Sequence, residues 1–363
     1  MFGCVRPRAL ILGALLLLAA PARADFFDQP FALRLFFAVD RQSNYASTLA
    51  RQASIAALEG GSANPGAAAW REPPEPTTIA TTSFVYAPST GGREVFAAPI
   101  SLRWRRPGQG TVLLAYAYTD TSNAHGDNGL AQSLRSDEWF GGYGRRIGEH
   151  SAVGFTVRLT SGEIISDSIS QSLGGAPVRA STRFLTPDVN VGYAAELSST
   201  VTMGLVAGYG RAVADTTVTN LAPLVVSLPG FGQPVALPPG TVLAQPDDVV
   251  SMYSLRGGLG FHVTERADVY FDAIGLRMST RNAGAHSLGR FALGAQYFMG
   301  NGWFLNGGIG VDTLGKVNVS GGLAYRPAPS IEAQLALQSN AAPEVKPEVG
   351  NTPLIAGSLA WVF

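Results

Sequence analysis

Residues Gly302–Val311 read GWFLNGGIGV. Taken two by two, Trp303, Leu305, Gly307, Ile309 and Val311 fall on one face, and Phe304, Asn306, Gly308 and Gly310 on the other. Side chains of a strand alternate between its faces, so this stretch predicts a strand with one oily surface and one small or polar surface. The next segments repeat it. Val317, Val319, Gly321, Leu323 and Tyr325 oppose Asn318, Ser320, Gly322 and Ala324, and Ile331, Ala333, Leu335 and Leu337 oppose Glu332, Gln334 and Gln338.

Working outward from that stretch, the chain from Thr77 onward divides into about 14 segments of this kind. They lie near 77–88, 94–106, 110–120, 134–146, 151–164, 181–197, 200–214, 249–263, 267–280, 287–299, 302–312, 316–326, 330–339 and 352–363. The connections alternate in length. Arg106–Gln109, Gly148–His150, Ser198-Ser199, Thr264–Arg266, Gly300-Asn301 and Arg326–Pro329 are short, whereas 121–133, 165–180, 215–248, 281–286 and 340–351 are mostly longer. Tight turns at one rim and long loops at the other are the arrangement of an outer-membrane barrel. The expected fold class is therefore all-β, a transmembrane antiparallel β-barrel.

The first residues support that location. Arg6 and Arg8 precede the apolar run Ala9–Ala20, and a small-x-small site follows at Ala22-Arg23-Ala24. This is the pattern of a secretory signal peptide over 1–24. The run is short of the ~20 residues a spanning helix needs, and no later run reaches that length. The single cysteine, Cys4, lies in the signal, so no disulfide, Cys-metal site or Cys nucleophile is expected after it. The whole chain carries 26 basic and 26 acidic residues, and without Arg6, Arg8 and Arg23 the balance is 23 to 26. That weak acidity argues against a nucleic-acid partner.

The aromatic residues fit the same registration. Trp104, Tyr143, Tyr193, Phe261, Tyr297, Trp303, Tyr325 and Phe363 all fall on outward faces near the short-turn ends, as a membrane–water girdle requires. Tyr118, Tyr209 and Tyr253 are placed to form the second girdle. The chain closes on SLAWVF, with Leu359, Trp361 and Phe363 on one face. This ending resembles the terminal strand of Gram-negative outer-membrane proteins, whose final Phe is read by the barrel-insertion machinery.

About 14 strands enclose a lumen too wide to fill with their own side chains. Residues 25–76 precede the first strand, contain LARQASIAALEGG, SANPGAAAW and REPPEP, and are expected to plug it, leaving 77–363 as the barrel. Pro65 has no N–H to give and cannot occupy a central strand.

Here a resemblance enters. Ser62-Ala63-Asn64-Pro65-Gly66-Ala67 resembles the Asn-Pro-Ala motif in the N-terminal hatch of the FadL family, the outer-membrane transporters of long-chain fatty acids and aromatic hydrocarbons. Acidic residues often found before the family's Asn-Pro are replaced by Ala57 and Leu58, with only Glu59 nearby. The resemblance implies a 14-stranded barrel and a hatch shaped by Asn64, Pro65, Gly66 and Ala67. It also implies passive uptake of hydrophobic small molecules and a kinked third strand, which no motif here locates. The implied partners are a hydrophobic ligand, outer-membrane lipid and lipopolysaccharide. The alternative is a general diffusion porin or a structural barrel.

Two further features are candidates for function. The 215–248 connection is oily for an outer loop, with Leu221, Leu224, Val225, Val226, Leu228, Phe231, Val235 and Leu237. It reads either as a groove collecting substrate or as a lid packed on itself. The inward faces carry Arg103, Arg105, Glu138, Arg158, Asp188, Glu196, Arg256, Asp272, Arg290 and Glu332. Charges belong there because on the lipid face they cost about 2–4 kcal/mol at the midplane. They read either as salt bridges stiffening the barrel or as a site that meets a carboxylate or anchors the hatch. Of the histidines, His125, His150, His262 and His286, none stands in a spacing that forms a Ser-His-acid site with Ser287 or Ser339. No enzyme, cofactor or metal is expected.

Overall fold

In the computed structural model the described residues are 50–53, 55–57, 64–70, 75–88, 94–121, 124–125, 131–170, 173, 175–226, 234–245, 247–281, 284–339 and 353–363. The expected signal peptide lies outside them, as do Leu228 and Phe231.

Fourteen long antiparallel strands form one closed sheet. They are β1 (Thr77–Pro88), β2 (Glu94–Arg106), β3 (Gly110–Thr121), β4 (Ala131–Gly148), β5 (Ser151–Ser170), β6 (Ala176–Ser198) and β7 (Val201–Asn220). The circuit continues through β8 (Asp247–Thr264), β9 (Ala267–Thr280), β10 (Gly284–Gly300), β11 (Trp303–Asp312), β12 (Val317–Ala328), β13 (Ile331–Gln338) and β14 (Leu354–Val362). Each strand pairs with its sequence neighbours, and β14 returns to β1 in a register from Ile79↔Val362 to Tyr86↔Ile355. Phe363 donates its N–H to the Thr78 carbonyl at 2.8 Å and accepts from the Thr78 N–H, so the last residue fastens the seam. Closure leaves no sheet edge, the condition for crossing a hydrocarbon layer with strands.

The strands follow the alternation read from the sequence. In β11, Leu305 and Ile309 are 48% and 45% exposed, while Asn306 and Gly310 on the opposite face are buried. Exposed large apolar residues recur on the same face in Phe155, Val157, Leu159, Val191 and Leu293. A surface that oily belongs against lipid. Tight turns join the strands at one rim. Gly300, Asn301 and Gly302 take positive φ values of 98°, 51° and 78°, which glycine and asparagine adopt most readily.

The strands at the long-loop rim run farther than the alternation suggested. β5, expected to stop near 164, continues to Ser170; β6, expected from 181, begins at Ala176; β7, expected to stop near 214, reaches Asn220. The 215–248 loop is correspondingly shorter and is partly strand. Leu224–Val226 pairs with Val235–Leu237, and Val242–Ala244 pairs with β7. On the outer face at and just below these extensions charged and hydroxyl residues such as Glu163, Arg179, Arg183, Asp215 and Thr217 break the apolar run, which hid them from a search for oily alternation.

Candidate functional site

The lumen is stacked in three tiers, and the lowest begins with glycine. Gly144, Gly154, Gly192, Gly204, Gly258, Gly294, Gly308 and Gly322 all face inward, near the short-turn rim, on eight of the strands between β4 and β12. Against them lie residues 50–53, 55–57 and 64–70. A Cβ on Gly144 would stand 2.7 Å from the Pro65 carbonyl oxygen, and one on Gly322 2.7 Å from Ala50 Cβ. Similar additions at Gly204 and Gly308 would collide with the carbonyls of Ile55 and Arg51. A short segment touching the inner faces of so many strands lies inside the ring they make.

Asn64 is the knot of that segment. It is 1% exposed, and its Nδ2 donates to the Ile55 carbonyl at 3.0 Å and the Tyr193 carbonyl at 2.9 Å. Its Oδ1 accepts the Gly66 N–H at 2.9 Å, the two-residue loop that asparagine closes on its own backbone. The Asn64 carbonyl accepts from the Ala67 N–H, opening the 3-10 turn Ala67–Ala69. Pro65 needs no partner for its nitrogen in this buried place. Gly66 is required because a Cβ there would meet Ala194 N at 2.9 Å. Trp70, Ala67, Ala152 and Ala194 pack beneath, with the Arg146 guanidinium over the Trp70 ring at 5.9 Å.

The second tier is polar and ties the segment to the wall. Ile55 N–H donates to Asp272 Oδ2 at 3.0 Å, Thr202 Oγ1 to the Ala56 carbonyl at 3.0 Å, and Ser320 Oγ to the Ala50 carbonyl at 2.9 Å. Gln52 Nε2 donates to the Asn318 carbonyl at 3.2 Å, while Arg290 donates to Gln52 and, at 3.3 Å, to Asn318 Oδ1. Across the lumen Arg158 pairs with Asp188 and, at 3.5 Å, with Glu138. Glu332 pairs with Arg326 at 2.5 Å. Arg103, Arg105 and Arg256 are likewise engaged. The expected charges are therefore inward, and they divide between the two readings: Arg158–Asp188–Glu138 brace the wall, whereas Asp272 binds Ile55 and Arg290 binds Gln52.

The third tier was not read from the sequence. Leu134, Ile164, Phe184, Ala212, Ala214, Val250, Leu276, Met278 and Leu288 form one buried apolar cluster, with Met252, Ile274 and Leu314 against it. It spans the inner faces of β4 through β10, toward the long-loop rim. The signal is a reversal of alternation. Along β9 the large apolar residues face outward at Val269 and Phe271, but inward at Ile274, Leu276 and Met278, opposite Arg277 and Ser279.

Of the expected outer-loop residues, Leu224 is buried, Leu237 partly buried, and Leu221, Val225 and Val235 exposed. The girdle residues Trp104, Tyr143, Tyr193, Tyr297, Trp303 and Tyr325 stand on outward faces at the short-turn rim, Trp303 stacking on Tyr325 with centroids 4.3 Å apart. Trp361 and Phe363 lie at the same rim. His150 meets Glu196 at 3.2 Å and His262 meets Asp268 at 2.6 Å, and neither pair contains a serine. β3 is paired without interruption to β2 and β4. The ladder loses rungs instead at Ser83 and Phe84 against β2, and at Thr186 and Pro187 against β7. Each gap matches one lost bond, since Pro99 offers no N–H to Ser83 and Pro187 none to Arg211.

No protein-family model matches the chain, and no curated protein matches it. Solved structures do. The toluene transporter TbuX of Ralstonia pickettii superposes with a TM-score of 0.61 at 12% identity, covering 89% of this chain and 99% of that one. The fold is that of the FadL-type barrel. A FadL homologue of Pseudomonas aeruginosa gives 0.59 at 10% identity, with 88% and 98% covered. The toluene transporter TodX of Pseudomonas putida gives 0.55 at 13%, with 88% and 98% covered. About 14 strands enclose more space than their own side chains fill, and here residues 50–53, 55–57 and 64–70 occupy part of it.

Proposed function

We propose that this protein is an outer-membrane channel for passive uptake of hydrophobic small molecules, such as aromatic hydrocarbons or long-chain fatty acids. In this reading residues 25–76 form its hatch. The observation that carries the reading is the apolar third tier directly above a polar tier bonded to residues 50–57. In this reading a solute entering from the long-loop rim passes the buried apolar side chains of Phe184, Leu276 and Leu288 on its way toward residues 55–57. Apolar lining with a few polar groups is what a hydrophobic ligand site needs. A general diffusion porin calls for the reverse, an open and charged constriction. The fold shared with toluene transporters supports the same reading.

The test is uptake into proteoliposomes. Labelled toluene or oleate is expected to equilibrate faster with the protein than without it, while sugars cause no osmotic swelling. Leu276→Asp, which places a charge in the tier, is expected to slow hydrophobic uptake by about tenfold. Rapid sugar-driven swelling with unchanged uptake in Leu276→Asp contradicts the proposal.

A further inference from the structure

The reversal of alternation along β7 to β9 leaves two arginines on the outer wall. Arg211 of β7 and Arg277 of β9 are both exposed, and both face away from the lumen, between the inward Ala212 and Gly210 and between Leu276 and Met278. Each lies ten residues from the short-turn end of its strand, Val201 and Ala267 respectively. At a rise of about 3.3 Å per residue and a tilt of about 40°, that is roughly 25 Å up the wall, the height of a barrel's apolar band. Both therefore stand where hydrocarbon gives way to head groups. An arginine on the lipid face costs about 2–4 kcal/mol at the midplane and about 0–1 kcal/mol near the interface, so this is the height at which the wall tolerates them.

Directly beneath and between them is an aromatic pair. Tyr209 and Tyr253 have ring centroids 5.1 Å apart and face lipid on β7 and β8. In the register Arg211 opposes Ser251, and Arg277 opposes Tyr253, so the arginines are two strands and two residues apart. With strands ~4.8 Å apart this places their backbones about 12 Å from one another, within reach of one head group for two extended arginines. Neither side chain is bonded to an acidic group among the described residues. Carboxylates also stand on that face nearer the loops: Asp215, four residues beyond Arg211, opposes Asp247 and Arg183 in the register, and Arg183 pairs with Glu163 at 3.6 Å.

We propose that Arg211 and Arg277, above the Tyr209–Tyr253 pair, bind the phosphate of a phosphorylated glycolipid, lipopolysaccharide, in the outer leaflet. Guanidinium groups grip phosphate with paired N–H donors, and tyrosines supply the interfacial contact for the sugar and the first acyl carbons. The site rests on the barrel's outer-membrane setting and not on what the lumen carries.

The experiment uses the full chain, refolded and purified in detergent. Its readout is the temperature at which the compact band is lost on a cold gel. Lipopolysaccharide is expected to raise this midpoint. Arg211→Gln and Arg277→Gln each weaken the effect, shifting the half-effective concentration upward by about tenfold, and Arg277→Lys restores part of it. Each variant reports its own folding through the compact band, so a failure to fold is seen separately, and the two single variants stand independently. The proposal is overturned if both variants respond as the parent does. It is also overturned if dephosphorylated glycolipid is equally effective, or if inorganic phosphate alone reproduces the shift.

Discussion

At the scale of single residues, Asn64 concentrates most of what holds residues 64–70 in place. Its amide makes three bonds, to Ile55, Tyr193 and Gly66, from a side chain that is 1% exposed. Asn64→Ala therefore takes the side-chain partner from the Ile55 carbonyl and the Gly66 N–H, each at a cost of about 1–3 kcal/mol. Because Cys4 is the sole cysteine, Ala68→Cys gives a single reporter in the segment. Asn64→Ala is expected to speed its reaction with a maleimide by about tenfold or more, with the compact gel band retained. An unchanged labelling rate would show that Asn64 does not hold the segment. The Asn64-Pro65 pair was legible as a special place because an unpaired proline in a chain of strands has few homes. Its partners were not. Tyr193 is 129 residues away, and no local pattern announces which carbonyl an amide will find.

At the scale of elements, the glycines of β4 to β12 explain how a ring of strands accepts a foreign backbone. The sequence showed glycine on inward faces and so showed room, but not what the room was for. That depended on residues 50–57 returning to the wall, a long-range contact without periodicity. Gly204→Val is expected to expel Ile55, since a side chain there collides with the Ile55 carbonyl. Gly307→Val is its control: that glycine faces outward, and a Cβ meets nothing within 4 Å. Labelling at Ala56→Cys should rise in the first background and stay unchanged in the second; equal rates in both would mean that the glycine seat is not filled by this segment. Strand ends facing the short turns lie within two residues of the sequence reading, and those at Arg106 and Ala267 match it, because the turns there are tight and the outward apolar alternation runs close to them. The extensions of β5, β6 and β7 were not, because above the lipid band the apolar face changes sides. The same change hid Phe184, Leu276 and Met278, the residues on which the proposed ligand site depends.

At the scale of the molecule, the barrel is a vessel with three tiers: a glycine-lined seat holding the N-terminal segment, a belt of paired charges and amides, and an apolar layer beneath the long loops. The closed strand count followed from turns and loops alternating along the chain, which is a whole-chain signal and robust to errors at any one strand. The central claim is that residues 25–76 close this vessel. Single-channel conductance in a planar bilayer tests it most directly, comparing the full chain with one lacking Phe26 to Pro76. A silent full-length protein and a conducting truncated one are the predicted result; equal conductance from both would contradict the account and leave an open pore with a leader beside it.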